Sequence, residues 1–243
     1  MRFHLEDYRR FVSGLVSSGY GTLSFADPAA RSLVDRNLLL RHDIDMDPSA
    51  ALRMAETEHS VGARSTYYVL LSNRHTNPFD MGFRRSVQRI TELGHWIGLH
   101  FDATQYELDA SSPEFNGCVA SEAAMLSEIC DVHVESVSFH RPARDLLGAA
   151  HSLTAPLTHT YEHVFIREIE YCSDSSGRWA YGPPNERTAV QQGLPFHFLT
   201  HPISWGEDDR SPAERMTAWM TERVRFDHSY ELPDVPNPFG AIR

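Results

Sequence analysis

Four separate stretches of the sequence place side chains that can bind a metal ion or transfer a proton at the end of a segment that is rich in apolar residues. These stretches are LLLRHDID, with Asp43 and Asp45; LGHWIGLHFD, with His100; SFHRP, with His140 and Arg141; and LTHPISW, with His201. Carboxylate oxygen and imidazole nitrogen together suit Zn²⁺. Such an ion acidifies water and polarises a carbonyl, while a further carboxylate and a protonated histidine can move protons. The residues therefore predict metal-dependent hydrolysis of an amide or an ester.

The elements that must position these side chains alternate between strands and helices. The spacing of apolar residues predicts strands over 38–45, 65–71, 95–102, 134–140 and 195–201, and another near 163–168. It predicts helices over 2–17, from 47 to about 59, and over 79–93, 113–130 and 211–226. This alternation indicates a mainly parallel sheet. The C-terminal ends of parallel strands open on one face, so the four polar strand ends predict a single site.

In their order and approximate spacing, the four stretches resemble those of the NodB-type polysaccharide deacetylases, carbohydrate esterase family four. The resemblance runs from about residue 37 to 206, between an N-terminal helix with its lead-in (1–36) and a closing helix and tail (207–243). It implies an α/β fold in a single domain, a distorted (β/α)7-type barrel with mainly parallel strands. It also implies removal of an acetyl group from an amino sugar with one bound divalent metal ion, for which Zn²⁺ is the leading candidate.

Carried over residue by residue, the resemblance implies separate roles. Asp43 matches the general base, Arg141 the residue that orients this base, and His201 the general acid. Asp45 and His100 match metal ligands. Three further residues are expected to contact the substrate, with Trp205 either stacking on the sugar or packing at the rim: Asp174, Trp179 and Trp205.

One position departs from the family's pattern. Thr104 stands where a second ligand histidine is expected, four residues after the first. His140 is the favoured replacement, because it ends a neighbouring strand that should face the site. Asp102 and His42 are the other candidates, and a weakened or missing metal site is the remaining alternative.

Composition restricts the class of partner. A net charge of −11 without a basic cluster argues against nucleic acid. No apolar segment approaches the roughly 20 residues of a membrane span. The N-terminus, MRFHLEDYRRF, lacks the pattern of a signal peptide, and three cysteines suit a reducing compartment. We therefore expect a cytoplasmic protein acting on a small acetylated amino sugar or related intermediate, in an oligomeric state that the sequence leaves open.

Two other functions compete with the deacetylase. Asp43-Ile44-Asp45 is also the Asp-x-Asp spacing of haloacid-dehalogenase-type phosphatases, but Met46-Asp47-Pro48 follows where those enzymes need a small or β-branched hydroxyl residue. With Thr104 in place of histidine, the protein could instead be a catalytically weak or inactive relative that binds a sugar. Retention of a base, its orienting arginine and an acid argues against that second alternative.

Overall fold

A computed structural model describes residues 1–180 and 182–231, with the backbone alone for 227–231. The strands are β1 Gly21–Thr22, β2 Asn37–Ile44, β3 Thr66–Val69, β4 Trp96–Phe101, β5 Val134–Phe139, β6 Thr158–His159, β7 Glu170–Ser173 and β8 Phe196–Thr200. The helices are α1 Leu5–Ser17, α2 Pro48–Ser60, α3 Met81–Glu92, α4 Phe115–Cys130, α5 Thr188–Gln192 and α6 Pro212–Glu231. Short 3₁₀ turns connect several of these elements.

Seven strands follow one another in the order β6-β5-β4-β3-β2-β8-β7, with β1 paired to β2 beside this path. Every pairing is parallel. Helices flank the sheet, and β6 and β7 end the order without pairing to each other. The predicted fold, a distorted (β/α)7-type barrel with parallel strands in one domain, is confirmed.

β2 lies inside the sheet, between β3 and β8, and it carries the first acidic pair to the rim of the barrel. All eight of its residues are buried, which agrees with the continuous apolar run before Arg41. After β2, the carboxylate of Asp47 accepts a hydrogen bond from the backbone N–H of Ser49, and Pro48 occupies the first turn of α2. The chain therefore turns sharply just past the strand tip, leaving Asp43 and Asp45 at the barrel mouth.

The predicted strand near 163–168 is wrong. Val164–Glu168 forms one π-helical turn, and the strand β7 begins only at Glu170. Phe165 and Ile169 lie four residues apart and pack together in one buried cluster with Phe25. Ile166 packs instead against a different, larger apolar cluster. The helical turn therefore sends the apolar residues of this segment to two separate parts of the core.

The core consists of apolar side chains on both sides of the sheet. One large cluster lies beneath α3 and α4, and a second joins α1 to β2 and β8. In the second cluster the ring of Tyr8 stacks on Phe198, with ring centroids 6.2 Å apart. None of the helices within the described ranges is long and apolar enough to cross a membrane.

Candidate active site

The C-terminal strand ends surround a cavity of about 580 Å³. Loop 175–177 and the first residues of α6 complete its wall. Six residues singled out in the sequence line this one cavity: Asp43, Asp45, His100, His140, Arg141 and His201. Four strands, β2, β4, β5 and β8, supply them.

Asp45, His100 and His140 form a candidate metal centre, with one ligand atom from each within 4.8 Å of the others. The Oδ1 of Asp45 lies 3.2 Å from His100 Nε2 and 3.7 Å from His140 Nδ1. The two imidazole nitrogens are 3.3 Å apart. Burial opposes the charge of Asp45, but the neighbouring imidazoles of His100 and His140 hold its pKa below the usual range.

Two details indicate that these three side chains suit a cation. The Oδ1 of Asp45 is buried and has no hydrogen-bond partner in the described part of the chain. The Nδ1 of His100 lies 2.6 Å from the hydroxyl of Ser138, a residue of β5. When Nδ1–H donates to this hydroxyl, the lone pair of Nε2 is directed towards Asp45. One carboxylate and two imidazoles then form a donor set of the kind that Zn²⁺ accepts.

The other two candidates for the third ligand are occupied elsewhere. Asp102 accepts hydrogen bonds from the backbone N–H and the hydroxyl of Thr104. His42 points to the opposite side of β2, where its Nε2 lies 2.7 Å from Glu58 of α2. His140 is therefore the candidate that the fold brings beside Asp45.

Asp43 is held by Arg41, and not by Arg141 as predicted. The Nε of Arg41 donates to one oxygen of Asp43 at 2.9 Å and its Nη2 donates to the other at 2.8 Å. Both residues project from the same face of β2, because they are two positions apart. Burial opposes ionisation of Asp43, yet the charge of Arg41 outweighs it and lowers the pKa of the carboxyl.

The guanidinium of Arg41 is fully buried and is itself held by aromatic rings. It lies 4.8 Å from the centre of the Tyr161 ring and 5.6 Å from that of Tyr68. Arg41 also donates to the Tyr161 hydroxyl at 3.1 Å. The predicted orienting residue, Arg141, is exposed at the cavity wall instead.

His201 is positioned by Asp174. Its Nδ1 lies 2.6 Å from Asp174 Oδ1, and its backbone N–H donates to the same carboxylate. Its Nε2 is left towards the cavity, 3.9 Å from Asp45 Oδ2. Burial opposes the protonated ring, but the charge of Asp174 and its hydrogen bond, with smaller contributions from Asp45 and Asp43, raise the pKa of His201 to about 9.

Asp174 was expected to contact the substrate, and the structure corrects this. Asp174 is fully buried behind His201 and does not line the cavity. Trp205 donates its Nε1–H to Asp174 at 2.8 Å and is only 2% exposed, so it supports this carboxylate from within the core. Trp179 stacks on Phe3 with ring centroids 5.3 Å apart and also does not reach the cavity. Of the two roles expected for Trp205, its burial favours packing over stacking on a sugar.

The Asp174→Asn variant should lower the pKa of His201 by roughly 1 to 2 units, because the amide keeps an acceptor but loses the charge. NMR titration of the His201 ring in the metal-free protein measures this. Because the pKa of His201 is raised on folding, its protonation stabilises the folded state. This contribution is fully present below about pH 6.5 and is lost as the pH rises through about 9. Trp205→Phe is the matched control, since it removes a hydrogen bond and leaves the Asp174 charge. An unchanged titration in Asp174→Asn would contradict the assignment.

The sequence matches no protein-family model and no curated protein. The structure is similar to a family 4 acetyl xylan esterase from Clostridium thermocellum in complex with a cobalt ion, at 15% identity and a TM-score of 0.44, over 82% of this chain and 92% of that one. It is similar to the T48 deacetylase with substrate, at 15% identity and a TM-score of 0.43, over 81% of this chain and 86% of that one. It is also similar to a Streptococcus pyogenes deacetylase in complex with acetate, at 12% identity and a TM-score of 0.42, over 89% of this chain and 86% of that one. Because this likeness is distant, we base the function on the geometry of the site itself.

Proposed function

We propose that the protein is a metal-dependent deacetylase that hydrolyses the acetyl amide of an N-acetylated amino sugar. One observation carries this proposal: a carboxylate and a histidine, each with its own buried counter-ion, flank the Asp45–His100–His140 cluster. Asp43 Oδ2 lies 3.7 Å from His100 Nε2, and His201 Nε2 lies 3.9 Å from Asp45 Oδ2. A base and an acid thus lie within 4 Å of one cluster of cation-binding side chains.

Asp45, His100 and His140 would hold the ion, and Zn²⁺ fits their oxygen and nitrogen donors best. When bound there, Zn²⁺ acidifies water and polarises the acetyl carbonyl. Ser138 keeps the His100 ring oriented towards Asp45 from behind. A hydroxyl in this position raises metal affinity without itself touching the ion.

The two proton transfers follow from the ionisation of the flanking residues. Asp43 is a carboxylate at neutral pH and accepts a proton from the attacking water. His201 carries a proton on the nitrogen that faces the cavity and donates it to the nitrogen of the departing amine. One water and one amide thereby give acetate and a free amine. A protein that only binds a sugar needs neither of these charged pairs.

The shape of the cavity supports a substrate of about one sugar unit. Its volume, about 580 Å³, lies within the roughly 300–1,000 Å³ of small-molecule sites. Pro212, Ala213 and Met216 of α6 close one side of the cavity, and Ser175–Gly177 close another. These walls favour a small intermediate over a long polymer lying in an open groove.

Acetate release from N-acetylglucosamine by zinc-loaded protein tests the proposal, with O-acetylated sugar in parallel to separate amide from ester cleavage. We expect about one zinc ion per chain, loss of acetate release after chelation, and recovery on adding zinc. Acetate release that survives complete removal of metal would contradict the mechanism. Phosphate release from p-nitrophenyl phosphate, without acetate release, would support the phosphatase alternative instead.

A further inference from the structure

Arg141 is a cation in the wall of the active-site cavity without a protein partner among the described residues. The charged neighbours that line the cavity with it are already paired. Asp43 is bound by Arg41 through two hydrogen bonds. Asp45 lies against the two histidines of the metal cluster, and His201 is bound to Asp174. The positive charge of Arg141 is therefore not used by the groups that the mechanism employs.

The backbone holds Arg141 at this place in a conformation that is unfavourable for a residue with a side chain. Its φ is +46°, in the left-handed region. On one side, the backbone N–H of His140 is fixed to the carbonyl of Phe101 at 2.8 Å. On the other side, Pro142 lines the same cavity. An outlier of this kind next to a candidate metal ligand is typical of a residue with a functional task.

We infer that Arg141 binds an acidic substituent of the substrate, so that the substrate is an N-acetylated amino sugar that also carries a carboxylate or a phosphate. This inference rests on the proposed function, which it makes more specific. A guanidinium binds the two oxygens of either group with paired hydrogen bonds, and such bonds are about twice as strong as neutral ones. Its place at the cavity wall suits recognition of a substituent away from the acetyl group.

The surrounding wall is compatible with an acidic group at this position. Ser175, Ser176 and Ser204 also line the cavity and offer neutral hydroxyl donors. Of the two acids that line the cavity, Asp43 is paired with Arg41, and Asp45 lies against the two histidines of the metal cluster. An anionic substituent would therefore meet Arg141 and hydroxyl groups in a cavity whose two lining carboxylates already have cationic or metal-binding partners.

Three sugars of the same core test the inference by calorimetric titration of the zinc-loaded protein, with acetate release measured in parallel. N-acetylglucosamine is the neutral probe, N-acetylglucosamine 6-phosphate carries a phosphate, and N-acetylmuramic acid carries a carboxylate. We expect one acidic probe to bind about 10-fold to 100-fold more tightly than the neutral probe. Arg141→Ala should remove this preference, and Arg141→Lys should retain part of it. Arg144→Ala, which removes an exposed arginine three residues away that does not line the cavity, should retain all of it.

The outcomes separate this inference from the proposed function. Equal binding of all three probes, or a preference that persists in Arg141→Ala, overturns the inference even when acetate is released. The inference is also overturned when Arg141→Ala lowers kcat equally for neutral and acidic sugars and leaves the binding preference unchanged. Arg141 would then act on the reacting carbonyl group. Absence of acetate release from every probe contradicts the deacetylase, while the binding preference still decides whether Arg141 recognises an anion. The probe that is preferred distinguishes phosphate from carboxylate.

Discussion

Replacing His140 with alanine should reduce zinc affinity by more than about 100-fold and abolish acetate release at limiting zinc. Removing a residue that only supports a metal ligand already costs about 10-fold to 100-fold, so loss of a direct ligand should cost more. The side chain of His140 is 17% exposed, and its backbone N–H, which bonds Phe101, is kept in the variant. The fold should therefore survive. Metal content after dialysis against buffered zinc, measured beside the melting temperature, checks the prediction.

Asp102→Asn is the control for this experiment, because Asp102 is another candidate ligand and directly follows β4. The amide can still accept the hydrogen bonds from Thr104, so the turn after β4 should remain intact. Zinc affinity in Asp102→Asn should stay within a few-fold of the wild type. Zinc retained in His140→Ala but lost in Asp102→Asn would show that the third ligand is Asp102. The cavity would then have to rearrange when metal binds.

The convergence of the site could be predicted because it follows from topology alone. Asp43, His100, His140 and His201 each lie at the end of a predicted strand, and parallel strands place such ends on one face. Strand alternation also separates His42 from Asp43, and the structure places His42 against Glu58 on the helix side of the sheet. These inferences needed only the order of the elements and the periodicity within one strand.

The partners of the catalytic candidates could not be predicted, because they depend on strand order and register. Asp174 follows β7 and reaches His201 because β7 pairs with β8. Ser138 reaches His100 because β5 pairs with β4, with Ser138 directly beside His100. Neither strand pairing can be predicted from the local sequence. The same is true of Trp179, whose ring face is covered by Phe3 from the N-terminus.

Arg41 is the one missed residue that the sequence could have revealed. It lies two positions before Asp43, so alternation puts both on one face of β2. A buried arginine needs a counter-ion, and the nearest carboxylate on its own face is Asp43. The resemblance drew attention to Arg141 instead, because it precedes a proline as in the family's motif. A local physical rule was more reliable here than transfer of a role between distant sequences.

Replacing Arg41 with methionine should destabilise the protein by about 3–5 kcal/mol at pH 7, because Asp43 would be left as a buried charge without its partner. Adding Asp43→Asn to this variant should restore a large part of that loss, because no buried charge remains. Asp43 is 3% exposed and Arg41 is fully buried, so solvent cannot replace the missing contact. Urea unfolding of the two single variants and the double variant gives the coupling energy. Arg141→Met, at an exposed position, is the control and should change stability by less than about 0.5 kcal/mol.

The pH dependence of the stability lost in Arg41→Met distinguishes a charge effect from a packing effect. In the wild type, Arg41 lowers the pKa of Asp43, so the pair stabilises the fold above the unfolded pKa of about 3.9 and loses this contribution as the pH falls through the folded pKa. In Arg41→Met, burial acts alone and raises the pKa of Asp43, so the variant loses stability as the pH rises through that higher value. The difference between wild type and variant should therefore shrink towards pH 4. A difference that stays constant from pH 4 to pH 8, with no recovery in the double variant, would mean that Arg41 contributes through packing against Tyr68 and Tyr161. A positively charged group other than Arg41 would then have to lower the pKa of Asp43 and keep it ionised as a base.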